Sequence, residues 1–328
     1  MKLIIGLTYD LRSEYLAEGF HEADVAEFDS DATIDELEKA LRGLGHATDR
    51  IGNARNLCRR LVQGDRWDLI FNIAEGLHGR SRESQVPAIL ELFDVPYTFS
   101  DPMVCATTLD KAVAKRLVRD AGLRIAEFHV VNEPADIDQI HIPYPLFAKP
   151  IAEGTGKGID RHSRIDDHGQ LVKVCAELLA RYAQPVLVEE YIPGREFTTG
   201  VLGTGQAARV IGTMEVTLKP TAGTAIYSYD MKEKCEEFVA YSRLPPGPLR
   251  QSVEGLVLAS YRALECRDAA RVDIKLDRAG QPVFLEVNPL AGLHPTHSDL
   301  PMIATQEGMP YPELINAIIT SALQRRKP

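Results

Sequence analysis

Short apolar segments alternate with amphipathic segments over the first hundred residues, and this alternation constrains the fold more than any other feature of the chain. Lys2–Leu7 and Trp67–Ile73 are apolar runs of strand length. Residues 34–44 and Val86–Phe93 instead repeat their apolar side chains at helical spacing. Strands separated by helices are typical of a parallel sheet covered by helices. The pattern therefore predicts an N-terminal parallel α/β domain over residues 1–102.

Two further domains are predicted after Asp101-Pro102. Residues 103–184 should form a small central α+β domain, with a basic helix over Leu109–Ala121. Residues 185–328 are dense in predicted strands and should form a mixed-sheet domain. Within it, residues 217–244 show no clear period, which indicates a mobile functional loop. The fold class expected is α/β, as a three-domain α+β arrangement.

Composition excludes several classes of protein. The chain has 328 residues and a net charge of -10, which argues against a general nucleic-acid binder. It contains no apolar run of the ~18–20 residues that a membrane helix needs. The five cysteines are scattered without a C-x-x-C pair, so neither a disulfide framework nor a zinc site is expected. We expect a cytoplasmic protein with no nucleic-acid or membrane partner.

Two predicted strands near the C-terminus, joined by a glycine-containing turn, give the strongest chemical signal. If Arg278–Gln281 form a four-residue connection, Asp273 lies opposite Glu286 and Arg271 lies opposite Asn288. All four side chains then share one face, with opposed Cβ atoms ~5 Å apart. Two opposed carboxylates repel unless a cation separates them, and oxygen ligands favour magnesium or manganese over zinc. A solvated charged face is the simpler alternative.

Two weaker signals precede the hairpin. Lys149 ends an apolar strand and is followed by the glycine-rich stretch 153–159, whose backbone can approach an anion closely. A flexible hairpin tip explains this stretch equally well, and Lys111 alone is most simply a lysine on a helix surface. The segment 188–196 runs from a strand into a Pro-Gly turn, which taken alone indicates a hinge between domains.

In this order, the motifs resemble those of the ATP-grasp superfamily and, within it, the D-alanine–D-alanine ligase family. The resemblance covers nearly the whole chain, and its most specific part is Arg271-x-Asp273 with Glu286-x-Asn288-Pro289-x-x-Gly292. It implies an ADP-forming carboxylate–amine ligase that works through an acyl phosphate, with D-alanyl-D-alanine as the leading product. It also implies ATP and two magnesium ions (manganese being possible) as cofactors, amino acids as substrates, and a homodimer formed largely through the first domain.

The resemblance further implies roles for individual residues. Those expected to bind ATP are Lys111, Lys149, Glu153, Gly154, Gly158, Glu189, Glu190, Tyr191, Ile192 and Glu196. Those expected to hold metal are Asp273, Glu286 and Asn288. Those expected to act in catalysis are Arg271 and the backbone N–H of Gly292, which stabilise the oxyanion, Thr155 in the closing loop, and Lys232 in the lid 217–244.

This chain departs from the family pattern where the amino acids bind. The residues that best match the family's substrate contacts are Glu14, His78, Glu83, His297 and Ser298. Arg82 is an added cation that suits a substrate with an extra carboxylate, although a surface salt bridge explains it as well. In the lid, Glu233 stands where the family usually has a tyrosine. These departures leave the identity and chirality of both amino acids open.

Two alternatives remain at the level of sequence. One is a ligase of the same family with different amino-acid substrates. The other is a nucleotide-binding protein without turnover, which the intact lysines and metal motif argue against. A transition-metal site at His294, His297 and Asp299 is disfavoured because a third clear ligand is lacking.

Overall fold

The computed structural model describes residues 2–219 and 239–325. Lys232, Glu233 and most of the predicted lid 217–244 lie outside the described residues. Within the described ranges the helices are α1 (Arg12–Ala17), α2 (Asp31–Gly43), α3 (Ala54–Gln63), α4 (Gln85–Leu92), α5 (Pro102–Leu109), α6 (Lys111–Asp120), α7 (His168–Tyr182), α8 (Pro248–Ala263), α9 (Asp299–Gln306) and α10 (Tyr311–Gln324). The strands are β1 (Ile4–Thr8), β2 (Ala47–Gly52), β3 (Leu69–Asn72), β4 (Phe128–Val131), β5 (Leu146–Pro150), β6 (Arg164–Ile165), β7 (Val186–Glu190), β8 (Glu196–Leu202), β9 (Arg209–Leu218), β10 (Val239–Arg243), β11 (Ala269–Leu276) and β12 (Pro282–Asn288).

The first sheet is parallel, as the alternating pattern predicted. Its strand order is β2-β1-β3, and both pairings of β1 are parallel. Leu314 and Ile318 of α10 belong to the same buried cluster as Leu37 and Leu41 of α2. The C-terminal helix therefore completes the core of the first domain, and no helix described here is long and apolar enough to cross a membrane.

Two antiparallel sheets follow, and the functional cleft lies between them. The central sheet has the order β4-β7-β5-β6, and the larger sheet has the order β10-β9-β8-β11-β12. Strand β7 pairs with β4 and β5, so the central sheet extends past the boundary predicted at residue 184. Helix α6 packs against β12 and so connects the central part of the chain to the larger sheet.

The hairpin of β11 and β12 has the pairs that the sequence predicted at its functional end. Arg271 lies opposite Asn288, and Asp273 lies opposite Glu286. The connection itself differs from the prediction, because Leu276 pairs with Pro282 and leaves five residues, not four, in the turn. The register shifts by one residue after Asp273, and this bulge offsets the longer turn.

The helix predicted over Leu109–Ala121 is in fact the end of one helix and the whole of the next. Helix α5 ends at Leu109, and Asp110 adopts an extended conformation between the helices. Its carboxylate accepts hydrogen bonds from the backbone N–H groups of Ala112 and Val113, which satisfies the free donors at the start of α6. The break makes Lys111 the first residue of α6 and places it at the cleft.

Candidate active site

A cavity of about 550 Å³ lies between the central and the larger sheet. Twelve of the residues expected to bind ATP, to hold metal or to act in catalysis line it: Lys111, Lys149, Glu153, Gly154, Glu189, Glu190, Tyr191, Ile192, Glu196, Arg271, Asp273 and Glu286. Gly158 supports the glycine-rich loop from behind, since a Cβ there would lie 2.5 Å from Pro150. The fold thus brings together in this cavity nine of the ten residues expected to bind ATP.

Aromatic and aliphatic side chains form one wall of this large cavity. The rings of Phe147 and Tyr191 stack with their centroids 6.4 Å apart. The guanidinium of Arg164 lies 5.1 Å from the centroid of the Tyr191 ring. Ile192 and Leu285 also line the cavity. Flat aromatic and aliphatic surfaces of this kind suit a planar heterocycle, while Lys111 and Lys149 in the same cavity suit anions.

Glu189, one of the residues expected to bind ATP, lines the large cavity, but its carboxylate is paired with two lysines. Its side chain is buried, and its carboxylate oxygens lie 2.9 Å from Lys149 Nζ and 2.9 Å from Lys115 Nζ. Burial alone would raise the pKa of Glu189, but the two lysines lower it to about 2. Lys115 was missed by the sequence analysis, although its spacing of four residues from Lys111 places both on one helix face.

Two of the three candidate metal ligands, Asp273 and Glu286, line the large cavity. Asp273 and Glu286 face each other across the hairpin, and Lys111 Nζ lies 3.6 Å from Glu286 Oε2. The buried Nδ2 of Asn288 has no hydrogen-bond partner in the described structure. No three His, Cys, Asp or Glu side chains of residues 2–219 and 239–325 converge as a metal cluster. Asp273, Glu286 and Asn288 offer two carboxylates and one amide oxygen, which are donors that suit a hard cation.

Arg271 is held in place by acidic neighbours on both sides. Its guanidinium pairs with Asp299 and lies 3.3 Å from Asp273 Oδ2. Lys111 is fixed in a similar way, because its Nζ donates a hydrogen bond of 2.6 Å to the carbonyl oxygen of Glu153. Both cations are therefore oriented before a ligand enters.

A second cavity of about 240 Å³ adjoins the first and shares Lys111, Arg271 and Glu286 with it. The predicted residues Thr155, Asn288, Gly292, His297 and Ser298 line this amino-acid-sized cavity. A Cβ at Gly292 would lie 2.8 Å from Ser298 Oγ, so only glycine leaves room there. Ser298 Oγ accepts a hydrogen bond of 2.9 Å from the backbone N–H of His294.

Two predicted substrate residues lie away from this small cavity. Glu14 is exposed on α1, and His78 is exposed in the loop that follows β3. The acidic end of the cavity is formed instead by Glu27, Glu75 and Glu83. Glu75 lies just beyond the carboxyl end of β3, and that position is a signal that identifies it, because parallel strands present functional residues there.

Arg82 performs neither of the roles considered for it. It is buried, its Nη2 lies 2.8 Å from Glu27 Oε2, and its Nη1 donates a hydrogen bond of 2.9 Å to Ala152 O. Glu27 also accepts a hydrogen bond of 2.7 Å from the backbone N–H of Gly154. Burial alone would raise the pKa of Glu27, but Arg82 and Lys157 lower it. This pair ties the first domain to the glycine-rich loop.

Glu75 and Glu83 differ from Glu27 because neither forms a hydrogen bond or ion pair with a described residue. Burial raises the pKa of Glu83 to about 7, with repulsion from Glu27 adding to the effect and Arg82 opposing it. Burial also raises the pKa of Glu75 well above its usual value, with repulsion from Glu83 and Glu27 adding to the effect. Buried carboxyl groups without partners are costly, so a cationic ligand group is the natural complement of this end of the cavity.

Glu83→Gln is expected to stabilise the free protein more at pH 8 than at pH 5. The pKa of Glu83 is raised in the folded protein, so the protonated group does not destabilise the fold below the unfolded-state pKa of about 4.5. The folded protein then loses stability as pH rises through about 7 and Glu83 ionises in its buried site. The gain from the substitution should therefore grow by about 2 kcal/mol between these pH values. Urea unfolding at both values measures it, with Glu313→Gln on the exposed side of α10 as the control. An equal gain at both pH values contradicts the expectation.

Known proteins resemble this chain in both sequence and structure. The family model described as D-ala D-ala ligase C-terminus matches residues 117–320. An uncharacterized protein of Sinorhizobium fredii, y4sG, is 34% identical over 261 residues, which cover 78% of this chain and 75% of the relative. A D-alanine–D-alanine ligase of Bordetella petrii is 34% identical over 250 residues, covering 75% of this chain and 74% of the ligase.

Solved structures support the fold. A Bacillus anthracis D-alanine–D-alanine ligase complexed with ATP superposes with a TM-score of 0.74 and 21% identity, covering 98% of both chains. The VanG D-Ala:D-Ser ligase of Enterococcus faecalis also gives 0.74, with 20% identity, covering 98% of this chain and 100% of that one. The family match over residues 117–320 includes the hairpin of β11 and β12. The chain belongs to the D-alanine–D-alanine ligase family of ATP-grasp enzymes and is an ATP-dependent ligase.

Proposed function

We propose that the enzyme joins the carboxylate of one amino acid to the amine of a second, with ATP converted to ADP, and that D-alanyl-D-alanine is its leading product. The observation that carries the proposal is that the large and small cavities share Lys111, Arg271 and Glu286. A nucleotide in the first and an amino acid in the second would meet at these residues. The alternative of a protein without turnover is set aside because the cationic and metal-binding side chains are all retained.

The large cavity would hold ATP. Lys111 and Lys149 would contact its phosphates, while the loop that includes Glu153, Gly154, Thr155 and Gly158 covers them. The wall formed by Glu190, Tyr191 and Ile192 would hold adenine, and Glu196 would bind the ribose. Asp273, Glu286 and Asn288 would hold magnesium, which neutralises phosphate charge when bound.

Activation of the carboxylate explains why the two cavities must adjoin. A carboxylate is a poor acyl donor, so the ligase would first transfer the terminal phosphoryl group of ATP to it. An amine then attacks the acyl phosphate, and phosphate leaves. Arg271 and the backbone N–H of Gly292 lie at the small cavity, where they would stabilise the negative charge that develops on the carbonyl oxygen. A closed cleft would also keep water from hydrolysing the acyl phosphate.

The small cavity favours amino acids without an acidic side chain at the Glu75 end. Glu75 and Glu83 would receive an ammonium group, while Ser298 and His297 would lie near the carboxylate of the second substrate. Arg82 would not bind a second carboxylate, because it lines neither cavity and its guanidinium is directed at Glu27 and Ala152 O. The use of Glu75 in place of Glu14 supports the second candidate, a family ligase with different amino-acid substrates.

The test is to incubate purified protein with ATP, magnesium and D-alanine, and to identify the products by mass. D-alanyl-D-alanine with ADP would establish the leading product. ADP release only with other amino acids would establish the second candidate, and the mass of the amide would identify its substrates. AMP in place of ADP, or no nucleotide turnover with any amino acid of a full panel, would contradict the proposal.

Assembly and location are part of the same proposal. Val62, Leu92 and Met103 are exposed apolar side chains on α3, α4 and α5, which pack side by side in the first domain. We propose that this face forms a homodimer interface, which sedimentation measurements can check. The described cysteines are Cys58, Cys105, Cys175 and Cys266, and all of them are free thiols, which suits the reducing cytoplasm where ATP is abundant.

A further inference from the structure

Lys115, a lysine with no role in the proposed chemistry, lies buried behind the large cavity. It has 0% exposed surface, and its Nζ lies 2.9 Å from Glu189 Oε2. It also donates a hydrogen bond of 3.3 Å to the carbonyl oxygen of Phe284. The second oxygen of the same carboxylate, Glu189 Oε1, lies 2.9 Å from Lys149 Nζ. Lys115, Glu189 and Lys149 are called the buried triad below.

The charge of the buried triad depends on Lys115. One carboxylate lies between two ammonium groups, so the set carries a net charge of about +1. Lys149 lines the large cavity, whereas Lys115 does not, so the excess charge is presented to a ligand through Lys149. Without Lys115, Glu189 and Lys149 would form a neutral pair, and an incoming phosphate would compete with Glu189 for the same ammonium.

The position of Lys115 also connects the two sides of the cleft. Glu189 lies on β7 of the central sheet, and Phe284 lies on β12 of the larger sheet. Strand β12 also carries Glu286 and Asn288. The Lys115 ammonium therefore contacts both sheets from α6, whose first residue is Lys111. A fixed cation at this point orients α6, which carries Lys111, and the central sheet, which carries Lys149, before ATP enters.

We propose that Lys115 is a positioning residue for ATP: it occupies one oxygen of Glu189 so that Lys149 presents net positive charge to the phosphates. Lys115 itself does not touch the nucleotide. The inference rests on the proposed function, in which Lys149 contacts ATP. It assigns a role to a residue that lines neither cavity.

Direct binding of ATP with magnesium, measured by calorimetry without amino acids, tests this role. Lys115→Met should raise the Kd of ATP about tenfold, as expected for the loss of one charge-assisted interaction. The double variant Lys115→Met with Glu189→Gln should bind ATP at least about twofold more tightly than Lys115→Met alone, which is a third of the tenfold change on a logarithmic scale. The reason is that Lys149 is then no longer paired with a carboxylate. Arg119→Met, on the exposed face of α6, is the control and should bind as the wild type does.

The outcomes separate this inference from the proposed function. No ATP binding by the wild type overturns the proposed function. Wild-type binding with an unchanged Kd in Lys115→Met overturns the positioning role. A raised Kd that the double variant does not recover assigns Lys115 to structural support and also overturns it. If Lys115→Met does not fold, Lys115→Gln, which keeps a donor toward Phe284 O, replaces it in the same comparison.

Discussion

Glu286→Gln is expected to lower kcat by about 1000-fold or more while the protein stays folded. The glutamine keeps the size of the side chain but removes one of the two opposed carboxylates of the hairpin. It also removes the charge that faces Lys111 Nζ at 3.6 Å. Groups that stabilise charge in the transition state typically contribute factors of this size when one is removed. Steady-state ADP release, with the far-UV circular dichroism spectrum as the check on folding, measures the effect.

Glu313→Gln is the matched control, because it makes the same chemical change at an exposed position on α10. Its kcat should equal that of the wild type. ATP binding without magnesium should change little in Glu286→Gln, since the lysines that would contact the phosphates remain. Turnover within a fewfold of the wild type in Glu286→Gln would show that this carboxylate does not hold a metal ion, and the assignment of Asp273 and Asn288 would fall with it.

The hairpin shows why part of the site could be predicted from the sequence. Alternation of side chains along a strand is a local property, so Arg271 and Asp273 share a face whatever the rest of the fold does. The pairing of Asp273 with Glu286 was correct although the turn was one residue longer than assumed, because the bulge after Asp273 offsets the difference. The family resemblance supplied the roles, and the local geometry supplied the positions.

The amino-acid end of the site could not be predicted in the same way. Glu75, Glu27 and Arg82 meet only because segments far apart in sequence pack together, and no local period encodes their contacts. His78, which matches a substrate contact of the family, lies in an exposed loop and lines neither cavity. Lys115 was missed for a related reason: a lysine in a helical pattern indicates a solvated face, and only the packing of α6 against β12 buries it.

Arg82→Met is expected to destabilise the protein by about 3 kcal/mol or more at pH 7, the usual cost of leaving one partner of a buried ion pair alone. Glu27 would then lack its guanidinium in a region that already contains Glu75 and Glu83. The pKa of Glu27 is lowered in the folded protein, so the pair contributes stability above the unfolded-state pKa of about 4.5, and that contribution is lost as pH falls. Without Arg82, burial would raise the pKa of Glu27, so this carboxyl group would bind a proton at higher pH than in the wild type, and the destabilisation should be smaller at pH 5 than at pH 7.

A second substitution distinguishes the pair from the packing of the arginine side chain. In Arg82→Met combined with Glu27→Gln no unpaired carboxylate remains, so most of the stability at pH 7 should return. Arg278→Met removes an exposed arginine from the turn between β11 and β12, and urea unfolding should detect no change in that variant. A double variant as unstable as Arg82→Met would show that the guanidinium stabilises the loop through Ala152 O and not through Glu27. A further outcome is that the double variant regains its stability at pH 7 and still turns over D-alanine more slowly than the wild type. That result would mean that the Arg82–Glu27 pair holds the glycine-rich loop against the first domain during catalysis.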